Sequence, residues 1–377
     1  MISKNKILIV GCGFAGSTIA RILAEKNFDV NLIDKRGHIG GNAYDFLNKN
    51  GERIHKYGPH LLHGNPNSRA VKFLSRFTSW VKYEHKVRAL LENNKTTPLP
   101  INRNTLEDVY NIKLNSENQA RLFLEKIRDK DIVPKNTDEL FLSNVGEIIS
   151  DIFFRPYTKK MWGIDPKLLE VSIGARLPVR TNRDDRYFTD AFQSLPKDGY
   201  TSLFERILDH QKISIQLNQK YEKEMEKYFD HVFLCMPIDQ YYDYCYGELP
   251  YRSLIFKEEI ISNKSLEAPT INFTDESPYT RKTQWDLLPN SGSSKFNAHT
   301  ITYEKPVDIS SNPGEYYYPV QTKLSRSLYE KYLNLSKNNK NITFCGRTGL
   351  FKYIDMIPCV QMHINIAERF FQKSFKN

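Results

Sequence analysis

A chain of 377 residues in which 40% of the side chains are apolar can bury more than one hydrophobic core, so we expect more than one domain. No apolar run approaches the ~18 residues that a membrane-spanning helix needs. The first apolar run follows Lys6 and is too short for a signal peptide, so we expect a cytoplasmic protein. The formal charge of +10 is spread along the chain, which argues against nucleic acid or a membrane as a partner.

The spacing of cysteines and histidines gives no sign of a disulfide framework or a metal site. The five cysteines are odd in number and widely scattered. His55, His60 and His63 lie close together in sequence, but no carboxylate or cysteine nearby completes a plausible ligand set. We therefore expect reduced, mostly structural cysteines and no bound metal.

The chain opens with a strand, a helix and a second strand. Residues 7–10 are apolar and largely β-branched, residues 17–26 have a helical pattern, and residues 29–33 form a second strand-like run. This order of elements is the start of a parallel βαβ unit.

The turn between the first strand and the helix carries the pattern Gly11-x-Gly13-x-x-Gly16. The first glycine permits the tight turn, the second lets a pyrophosphate approach the backbone, and the third lets the helix pack closely on the strand. Asp34 ends the second strand, where a carboxylate accepts hydrogen bonds from ribose hydroxyls. The combination predicts a Rossmann-like dinucleotide site whose phosphates face the start of the helix.

A second glycine pair, Gly40-Gly41, follows the acidic residue and allows another close approach to the same pyrophosphate, which favours FAD over NAD. We expect the FAD to be held tightly rather than exchanged. The residues that these stretches assign to the cofactor are Gly11, Gly13, Phe14, Ala15, Gly16, Asp34, Lys35, Arg36, Gly41 and Asn42.

The middle of the chain interrupts the nucleotide-binding domain. Residues 67–80, 105–128 and 138–157 are polar with a helical pattern, and prolines mark their boundaries, which predicts a mainly helical insertion. Residues 213–217 and 231–236 are strand-like again. We infer that the nucleotide-binding sheet resumes there.

The last third of the chain predicts a second sheet. Residues 270–274, 299–303 and 315–320 alternate or are aromatic-rich, with Asn, Ser and Gly between them, which suits antiparallel strands. A last strand at 342–345 leads to a helix at 359–371. The fold class is therefore α/β, with a Rossmann-like FAD-binding domain, a helical insertion and an antiparallel sheet domain.

Motifs along nearly the whole chain together resemble the UDP-galactopyranose mutase family. In chain order, the matching stretches are Asp34–Tyr44, Ile54–His63, Tyr157–Trp162, Arg176–Arg180, Tyr187–Asp190, Tyr251–Leu254, Asn272–Asp275, Pro278–Arg281, Tyr317–Val320, Gly346–Arg347 and Tyr353–Met356.

The resemblance implies three domains, a homodimer built through a helical bundle, and a six-stranded antiparallel sheet. The FAD-binding domain is expected at residues 1–76, 192–243 and 318–377. The helical domain is expected at 77–147. The substrate domain is expected at 148–191 and 244–317, with a mobile loop at about 166–180.

The resemblance also implies an activity, the interconversion of pyranose and furanose forms of a nucleotide sugar such as UDP-galactose, without net redox change. In the family, reduced flavin N5 attacks the anomeric carbon while the nucleoside diphosphate leaves. This division of labour accounts for the absence of a visible catalytic dyad, since the cofactor is nucleophile and proton carrier. The furanose product of the family usually enters a surface polysaccharide.

Residue roles follow from the same resemblance. Arg176 and Arg281 match the arginines that hold the diphosphate with bidentate, permanently charged bonds, and His63 matches a histidine beside the flavin ring. The other positions matching substrate-binding residues are Tyr157, Trp162, Tyr187, Arg252, Asn272, Phe273, Tyr317, Tyr318 and Tyr353, and those matching cofactor-binding residues are His60, Arg347, Asp355 and Met356.

The chain departs from the galactose enzymes at positions near the sugar. Bacterial galactose enzymes usually have Ala at Pro59, Ile-Phe at Leu61-Leu62, Thr at Gly64 and Gln at Met161, and a Glu-His-Lys run where Lys282–Gln284 follows Arg281. A sister mutase for dTDP-fucose, UDP-N-acetylgalactosamine or UDP-arabinose is therefore the first alternative. A flavin amine oxidase or desaturase, and a basic module that binds nucleic acid, are the other two.

Overall fold

The structure, a computed structural model, describes residues 5–92, 94–174, 178–262, 265–292 and 298–374. The α-helices are α1 (Phe14–Glu25), α2 (Arg69–Leu74), α3 (Arg103–Tyr110), α4 (Glu117–Ile127), α5 (Thr137–Ile149), α6 (Arg155–Trp162), α7 (Val171–Gly174), α8 (Gly199–Leu208), α9 (Ile238–Tyr241), α10 (Lys323–Ser336), α11 (Gly346–Gly349) and α12 (Met356–Ser374). A π-helical turn, Ser150–Phe154, joins α5 to α6.

The strands are β1 (Lys6–Val10), β2 (Asp29–Asp34), β3 (Asp45–Leu47), β4 (Arg53–His55), β5 (Leu62–Gly64), β6 (Trp80–Lys82), β7 (Val87–Leu90), β8 (Thr96–Leu99), β9 (Phe192–Pro196), β10 (Ile213–Leu217), β11 (His231–Leu234), β12 (Tyr251–Ser262), β13 (Thr270–Phe273), β14 (Arg281–Gln284), β15 (Ala298–Asp308), β16 (Tyr318–Pro319) and β17 (Ile342–Phe344).

The first sheet is parallel, in the order β10-β2-β1-β11-β17. Successive side chains of a strand point to opposite faces. Ile7 and Ile9 therefore pack on one face with helices α1 and α12, while Leu8 and Val10 pack on the other with helix α10. Burial on both faces explains the continuous apolar runs in the sequence, and the predicted Rossmann-like arrangement is confirmed.

The large sheet has the order β16-β12-β15-β14-β13-β7-β8 within the described ranges, and β7 pairs with β13 in parallel while the other pairs are antiparallel. The expectation of six antiparallel strands is therefore wrong. The two unexpected strands, β7 and β8, come from residues 77–147, which we predicted to be helical. Arg88 and Pro98 obscured their strand pattern, and Pro98 is tolerated because β8 lies at the sheet edge, where a missing N–H breaks no ladder.

The same segment also contains strand β6, helices α3 and α4, and most of helix α5. The N-cap residues of helices α3, α4 and α5 are Asn102, Ser116 and Asn136. The side chain of each accepts a hydrogen bond from a backbone N–H of the first turn. These helices share an apolar core that includes Leu106 and Phe141. The proposed domain boundaries stay predictions. Across the parts of the chain that are described, no helix has the length and hydropathy needed to cross a bilayer.

Candidate functional site

The glycine loop between β1 and α1 is tightly built. A Cβ atom at Gly16 would lie 1.9 Å from the carbonyl oxygen of Gly11, so no larger residue fits where the helix meets the strand. A Cβ at Gly41 would lie 2.9 Å from the Cα of Gly13, and Gly41 has a φ of +57°, which favours glycine. The second glycine pair therefore lies directly against the first loop, as the sequence suggested.

The start of helix α1 suits an anion. Its N-cap is Gly13, and in the described chain no side chain caps it and no acidic residue stands in its first turn. The N–H groups and the positive end of the helix dipole are thus available for phosphates. The Asp34 carboxylate accepts hydrogen bonds from the backbone N–H of Cys12 at 2.8 Å and of Arg36 at 2.9 Å, which fixes it at the end of β2 with lone pairs left for a ribose.

Arg36 supplies a further test of whether a dinucleotide fits. Its guanidinium lies 4.4 Å from the ring centroid of Tyr57, and it donates to Asn42 Oδ1 at 2.9 Å and pairs with Glu315. Its Nε is buried and has no hydrogen-bond partner among the described residues. An orphaned buried donor beside an uncapped helix start is consistent with a bound polyanion.

A cavity of about 490 Å³ lies next to this loop. The two are linked at Gly346, where a Cβ atom would lie 3.4 Å from that of Ala15 in the first turn of helix α1, because the following residue, Arg347, lines the cavity. They are also linked through Phe14, which packs on Tyr200, whose hydroxyl donates to the carbonyl of His60 at 2.9 Å. The expected site residues that line the cavity are His60, His63, Tyr157, Trp162, Tyr187, Asn272, Arg281, Tyr318, Arg347, Tyr353, Asp355 and Met356.

Arg281 brings a fixed positive charge to the cavity wall. Its Nε donates to Oε2 of Glu304 at 2.8 Å, and the Glu304 side chain is only 1% exposed. Burial raises the pKa of the Tyr157 hydroxyl, and the nearby charge of Arg281 offsets only part of that rise. Tyr157 therefore stays a neutral phenol that can donate a hydrogen bond.

A second cluster of positive charge and phenols stands at the start of helix α12. The Arg347 guanidinium lies 4.6 Å from the ring centroid of Tyr353, and Tyr353 stacks on Tyr318 with ring centroids 5.8 Å apart. Arg347 donates to the carbonyls of Tyr317 and Ile354, each at 3.0 Å, so its position is fixed by the backbone. Two arginines with neutral phenol donors suit a bound diphosphate.

His63, on strand β5, is held from two sides. Its Nδ1 lies 2.8 Å from Oδ2 of Asp190, and its ring stacks on Phe188 with centroids 3.7 Å apart. Both partners also line the cavity. The imidazole thus has one defined orientation at the cavity wall.

Three further histidines near the cavity are neutral. Burial, with a smaller contribution from the positive charge of neighbouring arginines, lowers the pKa of His55, His60 and His85 to about 3. His55 accepts a hydrogen bond at Nδ1 from the backbone N–H of His60 at 3.1 Å. The positive charge at the site therefore comes from arginine rather than from histidine.

Comparison with known proteins decides the family. The sequence model described as UDP-galactopyranose mutase matches residues 152–353, and the one described as an NAD(P)-binding Rossmann-like domain matches residues 9–77. The chain belongs to the UDP-galactopyranose mutase family. Members of this family are mutases, and mutases are isomerases, so the chain is an enzyme of that class.

Two curated relatives of this mutase family are similar over nearly their whole lengths. A probable UDP-galactopyranose mutase of Klebsiella pneumoniae is 36% identical, over 98% of this chain and 95% of its own. A dTDP-fucopyranose mutase of Escherichia coli is 35% identical, over 98% of this chain and 99% of its own. A crystal structure of reduced UDP-galactopyranose mutase superposes with a TM-score of 0.77 at 17% identity, covering 98% of this chain and 94% of that one, and so has the same fold.

Three residues that the mutase motifs placed at the substrate do not line the cavity. Arg252 instead donates from Nε to the carbonyl of Met161 at 3.0 Å, and from Nη2 to that of Lys160 at 3.3 Å, at the end of helix α6. Phe273 packs against Tyr303, and Tyr317 packs against Tyr57, both in the surrounding core. An arginine or aromatic in a motif has the same appearance in sequence whether it faces the ligand or supports a neighbour that does.

Arg176 lies outside the described residues, as does the next residue of its motif, Leu177, whereas Pro178 to Arg180 are described. Gly174 and Pro178, on either side of that gap in the description, both line the cavity. Its role at the diphosphate and the closure of the loop at about 166–180 stay predictions.

Sequence reasoning missed four residues at or beside the mutase cavity, namely His85, Phe188, Asp190 and Glu304. Phe188 and Asp190 stand inside the motif Tyr187–Asp190, so the motif itself was the available signal. Glu304 is a buried acidic residue on strand β15, and a buried carboxylate is the kind of exception that marks a functional position. No sequence signal singles out His85.

Proposed function

We propose that the chain is a FAD-dependent mutase that interconverts the pyranose and furanose forms of a nucleotide sugar. The observation that carries the proposal is one cavity in which Arg281, Arg347, Tyr318 and Tyr353 converge beside an uncapped, glycine-rich dinucleotide loop. Membership of the mutase family supports the same reading.

The cofactor proposal rests on the loop and its surroundings. Gly13, Gly41, Asp34 and Arg36 form a cradle for the pyrophosphate and ribose, and the start of helix α12 lies at the cavity with Asp355 and Met356. When bound and reduced, the flavin supplies the nucleophile for the anomeric carbon. This accounts for a site whose own side chains are diphosphate ligands rather than a nucleophile and a base.

The residues of the chain would bind and neutralise the diphosphate. The guanidinium of Arg281, which lines the cavity, would donate charge-assisted hydrogen bonds to the diphosphate, and such bonds strengthen where water is excluded. Tyr318 and Tyr353 add phenol donors without adding charge. His63, oriented by Asp190, would hold its imidazole at the cavity wall against the reacting sugar or the cofactor.

The sugar and the base are proposed as a pair of candidates. UDP-galactose is the first, from the family and the Klebsiella relative. dTDP-fucose is the second, because the Escherichia coli relative is almost equally similar. Pro59 and Leu61, two of the residues that depart from the galactose enzymes, line the cavity, and apolar side chains there suit a sugar methyl at least as well as a hydroxymethyl group.

The test is turnover by the dithionite-reduced protein on a panel of nucleotide pyranoses, with furanose products separated by chromatography. The expected result is conversion of UDP-galactose or dTDP-fucose by the reduced protein and none by the oxidised protein. Failure to convert any panel member, or purified protein that cannot be loaded with FAD, would contradict the proposal. Oxygen consumption with a substrate amine would instead identify an oxidase.

A further inference from the structure

A row of polar side chains crosses three neighbouring strands beside the cavity. Asn272 on β13 pairs directly with Arg281 on β14, and Arg281 pairs directly with Glu304 on β15. Directly opposed residues in a sheet project from the same face. Asn272 and Arg281 line the cavity, while Glu304 lies beside Arg281 in the row and does not line the cavity.

The contact between Glu304 and Arg281 defines the plane of the guanidinium. The Glu304 carboxylate accepts a hydrogen bond from Nε–H of Arg281 at 2.8 Å. Within the described residues, no other hydrogen bond from this guanidinium is found. A guanidinium is planar, so a hydrogen bond at Nε fixes the plane in which the two terminal nitrogens lie. An arginine side chain has several rotatable bonds, and fixing them beforehand removes an entropic cost from ligand binding.

Glu304 is itself confined by its neighbours. Gly58, in the loop between His55 and His60, has a φ of +84°, and a Cβ there would lie 2.9 Å from Oε1 of Glu304. The backbone carbonyl of Glu304 accepts the N–H of Thr280 at 2.9 Å. With backbone and carboxylate both confined, the side chain has little freedom to turn away from Arg281.

Burial makes this carboxylate costly unless it serves the arginine. Oε1 of Glu304 is buried and has no hydrogen-bond partner among the described residues, so its single ionic partner is Arg281. A buried ion pair of this kind is weak evidence for stability, since apolar residues often replace it without loss. The presence of this ion pair beside the cavity is better explained by the orientation that Glu304 gives to Arg281.

We propose that Glu304 is a positioning residue that orients the Arg281 guanidinium for the diphosphate of the ligand. The inference rests on the proposed function for the identity of that ligand. It adds a residue that does not touch the ligand and acts through another side chain.

The test is equilibrium binding of UDP and of dTDP to the purified, FAD-loaded, oxidised protein, measured by calorimetry without turnover. Glu304→Gln keeps the shape and an acceptor but removes the charge, and we expect it to weaken binding of the preferred diphosphate about tenfold. In an Arg281→Met background, the same substitution should have no further effect, because Glu304 would have nothing left to orient. The flavin absorbance spectrum should be unchanged in each variant.

Glu52→Gln is the matched control. Glu52 is a fully buried carboxylate that accepts the N–H of Thr300 on the same strand β15 at 3.1 Å, and it does not line the cavity. It should leave diphosphate binding unchanged. Equal weakening by Glu52→Gln and Glu304→Gln, unchanged binding in Glu304→Gln, or an effect of Glu304→Gln that persists in the Arg281→Met background would each overturn the inference alone. Wild-type protein that binds neither diphosphate would overturn the proposed function as well.

Discussion

Nζ of Lys160 donates to the backbone carbonyl of Phe273 at 3.1 Å and so ties helix α6 to strand β13. The same ammonium group donates to the carbonyls of Asp275 at 2.8 Å and Tyr279 at 3.0 Å, which closes the turn between β13 and β14. Helix α6 carries Tyr157 and Trp162, whereas the two strands carry Asn272 and Arg281. One lysine therefore fixes the distance between two walls of the cavity.

Replacing Lys160 with Met should loosen this connection without touching the ligand. Three carbonyls lose their donor, so we expect the free energy of unfolding to fall by about 1–3 kcal/mol and diphosphate binding to weaken severalfold. Urea unfolding and calorimetric titration with UDP and dTDP measure the two effects. Lys159→Met is the control, since Lys159 is exposed on the same helix and carries the same charge. Similar losses in both variants would point to charge rather than to the connection.

Asp190→Asn should lower turnover while leaving the bound flavin in place. The amide keeps the shape but not the charge that orients His63, and we expect kcat to fall by at least about tenfold. The measurement is the rate of furanose formation alongside the absorbance of the bound cofactor. Asp286→Asn is the matched control. Asp286 Oδ2 lies 2.7 Å from Nδ1 of His299, and neither of these residues lines the cavity. Equal activity of the Asp190 variant and the wild type would show that this pair has no part in the reaction.

Gly13→Ala should fold but fail to hold the cofactor. The backbone of Gly13 has φ −81° and ψ −171°, which alanine adopts freely, and the nearest atom to an added Cβ is 3.7 Å away. The methyl group would instead occupy space that we assign to the pyrophosphate. Circular dichroism should match the wild type, and the visible flavin absorbance should be lost. A yellow Gly13→Ala protein with full FAD content would contradict the assignment.

Acid should destabilise the protein partly through His55. Its pKa is about 3 in the folded protein against an ordinary value of 6.5, so between these values the unfolded chain binds the extra proton. The stability that the neutral imidazole preserves is complete above pH 6.5 and is lost as the pH falls towards 3. His55→Asn keeps an acceptor for the N–H of His60, and urea midpoints measured from pH 7 downwards should fall less steeply in it. An unchanged slope would contradict this contribution.

Local sequence signals predicted the parallel sheet and the glycine loop. The strand at 7–10 is apolar on both faces, and Gly16 and Gly41 stand where added atoms would collide, so short stretches carried the necessary information. Strands β7 and β8 could not be found in this way, because Arg88 and Pro98 interrupt their pattern and the other partner of β7, strand β13, is remote in sequence.

The site was predicted less completely, for a related reason. The resemblance assigned Arg281, Tyr318 and Tyr353 to the substrate, and all three line the cavity. A motif does not, however, indicate which way a side chain points. Arg252 was assigned to the substrate, yet it caps helix α6. The contact of Glu304 with Arg281 depends on the strand register that places the two opposite each other. The contacts of Lys160 depend on a turn that is far along the chain.

The parallel pairing of β7 with β13 also bears on biosynthesis. As the chain leaves the ribosome, the hairpin β7-β8 is complete long before β13 is made, so one edge of β7 has its backbone groups unpaired for that interval. Lys86, just before β7, and Arg88 within it carry positive charge, and such charges on an open strand discourage pairing with another nascent chain. The cavity wall therefore forms late, and we expect the yield of native protein to depend on how long that open edge must wait.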